Sequence, residues 1–411
     1  MAGTFFSKVF QRFLKFFPNF QFFVPFSPML KIAHPASGMH IFWGIASLVF
    51  TFFSYTAVLG QRIHEELLRP QEIDRADSGK VWLQVENLNL LRNNEYFSPF
   101  AEGFTLIGYF LQPRLVYQPT SRLRIEAGTH LLFLAGTDRF SQVLPVFTVQ
   151  YTLAPGVTLV LGTLHGALAH RQIEPLFQFD RHFTEYVENG VQLLVKRGRW
   201  EADTWLDWDQ SLFDPQNTQE LFLYGTTQQI ALYAPEARHR WHVHAQWLGT
   251  HRGGQGIQSG LSVVNQWNAA TGLSWCYQPS AEKRLQWKAE GYYLLGNNAT
   301  DISPQQGAYL FGGLASKWVE AYTGYWWGNN FGPLLGEPNF SSFPLPSAQE
   351  VIPSLRRVVT AKVFLRQQLR QGAHIGFRNE FFYDTRLNRI DFSQTLFLVF
   401  RQGFFFNKKT N

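Results

Sequence analysis

Residues 239–250 read HRWHVHAQWLGT. Arg238, Arg240, His242, His244 and Gln246 share one parity, and Trp241, Val243, Ala245 and Trp247 share the other. Strict alternation marks a β-strand with two different faces. Two tryptophans on one face against arginines and histidines on the other suit a strand between a lipid phase and a polar interior.

The same sorting recurs along the chain. In residues 123–130 Leu123, Ile125 and Ala127 take one parity, and Arg124, Glu126 and His130 the other. In residues 200–209 Trp200, Ala202, Leu206 and Trp208 oppose Glu201, Asp203 and Asp207. In residues 285–293 Leu285, Trp287, Ala289 and Tyr293 oppose Lys288 and Glu290, and in residues 359–366 Val359, Ala361, Val363 and Leu365 oppose Thr360, Lys362 and Arg366. A charge on a lipid-facing position costs roughly 2–4 kcal/mol at mid-bilayer, which gives their confinement to one parity a physical cause.

Alternating segments predict about sixteen strands: 81–92, 104–118, 123–133, 143–153, 157–165, 188–196, 200–209, 220–233, 239–250, 262–278, 285–295, 307–316, 319–327, 356–368, 373–384 and 391–401. Each is near the length that crosses a bilayer at a tilt. The connections alternate long and short. Turns such as residues 154–156 and 197–199 are tight, whereas 166–187 and 328–355 are long. Short turns on the periplasmic side and long loops outside are the asymmetry of an outer-membrane barrel, so the 328–355 connection, rich in Pro, Gly and Asn, is expected as an exposed external loop.

Composition agrees. Of 411 residues 17% are aromatic and only 16% charged, against about 25% charged in typical soluble domains. The net charge of +6 is concentrated at the start. Residues 1–60 carry Lys8, Arg12, Lys15 and Lys31 and no acid, so the remainder has an excess of only two positive charges. That removes the basic footprint a nucleic-acid partner needs. The single cysteine, Cys276, allows no intrachain disulfide and no cysteine-based metal site.

Residues 1–60 are expected as a leader, with a hydrophobic region over 41–60 and cleavage near Gly60–Gln61; a retained anchor is the alternative. Residues 61–79 are then a periplasmic segment, 80–402 the barrel and 403–411 a tail.

On these grounds the chain resembles Gram-negative outer-membrane β-barrels, more specifically sixteen-stranded porin-like channels: all-β, antiparallel and up-and-down. The resemblance implies export to the outer membrane and contact with its lipid and lipopolysaccharide. It also implies that the third long loop folds into the lumen. Glu174, Asp180, Arg181, His182 and Glu185 then form one side of a constriction facing Arg124, Arg240 and Arg366. The other reading is an external loop packed on its own Leu176, Phe177, Phe179 and Phe183.

Candidate pore-lining residues are Arg124, Glu126, His130, Glu201, Asp203, Asp207, Arg238, Arg240, His242, His244, Lys288, Glu290, Lys362 and Arg366. His242 and His244 share a face as metal ligands do, but spacing fixes no third ligand, and no metal or cofactor is expected. The functional expectation is a channel for small polar or charged solutes, and not an enzyme, with no catalytic residues assigned. The alternatives are a non-conducting barrel serving as a binding, assembly or secretion partner, and an outer-membrane hydrolase with His165, His170, His182 or Ser211 at its rim. An oligomer is compatible with either, and the transported solute is not legible.

Overall fold

The computed structural model describes residues 73–406 except 212, 214–218, 234–236, 254–261, 280–284, 298–303 and 349–353. The leader and cleavage site expected over residues 1–60 lie outside the described residues.

Sixteen antiparallel strands close into one barrel in simple up-and-down order. They are β1 (Lys80–Glu95), β2 (Phe104–Gln118), β3 (Leu123–Leu134), β4 (Gln142–Ala154), β5 (Val157–Thr163), β6 (Asn189–Arg197), β7 (Trp200–Gln210) and β8 (Glu220–Ala231). They continue as β9 (His239–Gly253), β10 (Val264–Tyr277), β11 (Gln286–Asn297), β12 (Gln305–Ala315), β13 (Val319–Asn329), β14 (Leu355–Arg370), β15 (Ala373–Asp384) and β16 (Arg389–Phe405). Pairing of β1 with β16 from Trp82↔Phe405 to Glu95↔Phe392 closes the ring and leaves no free edge. No described helix is long and apolar enough to cross a membrane.

The alternation that predicts the strands also sets their faces. Trp241 is 46% exposed on the outer wall, whereas His242 beside it is 9% exposed and faces inward. The tight turns depend on glycine. Gly156 has φ +71°, and a Cβ there would stand 2.1 Å from the Lys196 carbonyl oxygen.

Two expectations need correction. Strand β16 continues through Phe405, so the expected tail begins as strand. The reason is that Leu83 and Trp82 on β1 still offer register partners to Phe404 and Phe405. Nor is the 328–355 connection simply an exposed loop. Its Phe331 and Phe340 are fully buried, packed with Trp326, Leu176 and Tyr309 in one apolar cluster inside the ring. Its aromatic content drives this: a connection carrying Phe331, Leu334, Leu335 and Phe340 gains more by burial than by exposure.

Candidate functional site

Two loops enter the lumen. L3 spans 164–188, and L7 spans 330–354, described over 330–348. They join by a parallel bridge, Phe177↔Leu335. The Gln178 amide donates to the Leu335 carbonyl at 2.8 Å, and the Glu337 amide donates to the Glu174 carbonyl at 2.9 Å. Gly336 allows this approach, since a Cβ there would lie 2.1 Å from the Pro175 carbonyl oxygen.

The pair is tied to the wall by charge. Asp180 of L3 meets the Arg92 guanidinium at 2.5 Å. Glu174 meets Arg378 at 2.5 Å and also pairs with Lys362. Glu380 joins Lys362 at 3.2 Å and Arg378 at 2.6 Å. On L7's side Arg356 binds Asp384 at 2.7 Å and also donates to the Ser341 carbonyl at 2.5 Å.

L3 lies against the inner wall, and the partners of its charged groups differ from those expected. Arg124 pairs with Glu126 at 2.8 Å, Arg366 with Glu320 at 3.6 Å, and Arg240 donates to Gln278 at 2.9 Å. The reason is depth. Arg124 opens β3, Arg240 opens β9, and Arg366 lies in the lower part of β14, all toward the short-turn end. L3 enters from the opposite end and meets Arg92, Lys362 and Arg378 first.

The other expected residues are placed as follows. Glu126 and His130 are buried, the latter stacked on Tyr186 with centroids 5.5 Å apart. Glu201 binds Arg171 at 3.2 Å, and Asp207 accepts the Asn189 amide at 2.7 Å. Lys288 lies 3.8 Å from Glu320, and Glu290 accepts the Tyr292 hydroxyl at 2.9 Å. Arg238 is exposed just ahead of β9. On L3, Arg181 pairs with Glu185 and lies over the Phe177 ring, and His182 is buried against Tyr186. Among the described residues no group of three or more His, Cys, Asp or Glu is arranged to hold a metal.

His170 clamps L3 to β7. Its Nδ1 lies 2.9 Å from Asp203 and its Nε2 2.7 Å from Glu188, and its ring stacks on Trp205 at 3.6 Å. Burial disfavours its charge, but Glu188 and Asp203 outweigh that and raise its pKa to about 10. An imidazolium held by two carboxylates has no lone pair for base catalysis. Burial instead lowers His165 and His182 to about 4. These three histidines are therefore packing groups, and sequence reading missed Glu188 as the carboxylate partner of His170.

Two histidines keep hydrogen-bonding geometry suited to chemistry. Inside the wall, His244 Nε2 lies 2.7 Å from Ser274 Oγ. On the outer face at the long-loop end, His251 Nδ1 lies 2.7 Å from Asn265 Oδ1. Phe222 is the register partner of His251, and Trp208 stacks on Phe222 at 5.4 Å. Gly253 and Val263 pack beside the imidazole: a Cβ at Gly253 would stand 3.0 Å from Val263 Cγ2 and 3.4 Å from His251 Nε2. Sequence reading stopped at Thr250 and missed this pair, although His251 continues the Trp241–Trp247 parity.

Residues 73–409 match the lipid A 3'-O-deacylase-type family. The chain belongs to that family. The expectation that it is not an enzyme is thereby overturned, because the family is named for an enzymatic activity. No curated protein matches the chain. Among solved structures, a loop L8 deletion mutant of OmpT, an outer membrane protein of Vibrio cholerae, is 8% identical. It covers 79% of this chain and 100% of its own, with TM-score 0.48. OpdL of Pseudomonas aeruginosa is 11% identical, covering 79% of this chain and 98% of its own, with TM-score 0.45. OccAB4 of Acinetobacter baumannii is 9% identical, covering 80% and 100%, with TM-score 0.42. The fold of this chain is a closed, sixteen-stranded antiparallel β-barrel.

Proposed function

We propose that this chain is an outer-membrane ester hydrolase that removes an ester-linked acyl chain from a lipid A-type glycolipid in the outer leaflet. The family match supports the reaction class, and the position of His251–Asn265 carries the reading. His251 lies ten residues beyond Trp241 on the same strand face. At about 3.3 Å per residue and a tilt near 40°, that is about 25 Å, the height of the apolar band. The pair therefore lies at the external interface, on the lipid side, where acyl chains join a headgroup.

The chemistry follows from the tautomer. An amide oxygen only accepts, so Nδ1 donates to Asn265 and Nε2 carries the lone pair. Nε2 takes a proton from a water as that water attacks the ester carbonyl. The proton then goes to the departing sugar hydroxyl, leaving a free fatty acid and the deacylated glycolipid. The test is mass spectrometry of lipopolysaccharide incubated with the folded barrel, wild type against His251→Ala.

A channel is the second reading, favoured by the charged L3 set inside the lumen. Planar-bilayer conductance separates the two, because the inward groups Glu86, Arg92, Glu126, Gln192 and Arg378 are almost wholly shielded from solvent. A lumen so filled is expected to pass no steady ion current.

A further inference from the structure

We propose a second, independent acyl-transfer centre at Ser274, opening on the short-turn end of the lumen and taking small anionic acyl esters. Ser274 projects inward from β10, three residues before its end. His242 on β9 and Glu290 on β11 are its register partners. His244 Nε2 approaches Ser274 Oγ at 2.7 Å, and His242 Nδ1 lies 3.5 Å away. A hydroxyl within hydrogen-bond reach of an imidazole is the minimal arrangement for an activated serine nucleophile.

Access is one-sided. Toward the long-loop end the wall is sealed: Leu248, Asn268 and Leu294 are fully buried, and Gln246 is engaged by the Ile173 amide of L3. Toward the short-turn end Arg240, Cys276 and Gln286 are partly exposed. A molecule reaching Ser274 therefore comes from the periplasmic side and passes Arg240. That guanidinium is two positions from His242 on the same face, roughly 7 Å along the strand, within reach of a carboxylate or phosphate on the ester.

In the reaction Ser274 Oγ bonds to the acyl carbon and its proton passes to His244 Nε2. The alcohol leaves with that proton. Water then attacks the acyl-serine, again through His244, releasing the acid and restoring the hydroxyl. The lipid-facing centre is separated from this one by the barrel wall and by depth, so neither reaction depends on the other.

The test uses a fluorophosphonate probe on the full-length folded barrel, with peptide mass spectrometry. Wild type is expected to carry the adduct on Ser274, Ser274→Ala to lose that adduct, and His244→Gln to label at least about 100-fold more slowly. Hydrolysis of p-nitrophenyl succinate is expected to fall in Arg240→Gln while p-nitrophenyl acetate is spared. Heat-modifiable gel migration confirms that each variant is folded. A folded wild type with no adduct at Ser274, or equal labelling in His244→Gln, overturns the serine centre. Equal loss of both esters in Arg240→Gln overturns the anionic preference.

Discussion

Asp180 of L3 meets Arg92 of β1 at 2.5 Å, so a loop carboxylate is bound to a fully buried guanidinium on the wall. Arg92 keeps Glu380 at 3.5 Å and the Thr395 hydroxyl at 2.7 Å when Asp180 is lost. Asp180→Asn is therefore expected to destabilise the barrel by roughly 1–3 kcal/mol, whereas Asp180→Asn with Arg92→Met recovers part of it. Urea titration followed by gel migration measures both. Equal losses in the single and double variants would show that the pair does not hold L3.

L7 should act as a stopper. Deleting residues 333–345 and bridging the ends with a short Gly/Ser linker removes Phe340 and the contact with Phe177, so L3 loses its partner. Planar-bilayer recording is expected to show no steady conductance for wild type and an ohmic conductance for the deletion. A conducting wild type would restore the channel reading.

The pH dependence of L3 has two arms. His170 has a raised pKa of about 10, so its contribution is fully present below the ordinary value near 6.5 and is lost as pH rises through about 10. His165 and His182, held near 4 by burial, work in the opposite sense. Their neutral forms cost nothing above pH 6.5, and a penalty grows as pH falls toward 4. His170→Gln should flatten the alkaline arm of the urea midpoint, and His182→Gln the acid arm. If His170→Gln leaves the alkaline arm unchanged, the carboxylate clamp is not charged.

The barrel was legible because lipid imposes period-two sorting on every strand, and Trp241 against His242 already shows it. The site was less legible because it depends on depth and on loop placement. Parity put Lys362 inside, and the resemblance put Glu174 on an inward loop, but only the descent of L3 decides that they meet. Arg92, Arg378 and Glu380 were overlooked as partners for the same reason. Phe331 and Phe340 carried a signal, aromatic residues in a connection, that Pro and Gly content masked.

Depth also governs tolerance on the outer face. Leu310 is in the middle of β12 and 60% exposed on the outer face, so Leu310→Arg should cost roughly 2–4 kcal/mol at mid-bilayer depth. Trp241, two residues from the start of β9, lies near the interface, and Trp241→Arg should cost about 0–1 kcal/mol from the charge itself. Folding yields into vesicles compare them. Equal yields would mean that the assumed bilayer depth is wrong.

The central claim is that a closed barrel acts on lipid through His251. Its most direct test is mass spectrometry of lipopolysaccharide recovered from vesicles containing the folded protein. The account predicts loss of one ester-linked acyl chain with wild type, and loss slowed at least about 100-fold with His251→Ala at equal folded yield. An unchanged acyl pattern with folded wild type, or full deacylation by His251→Ala, would contradict it.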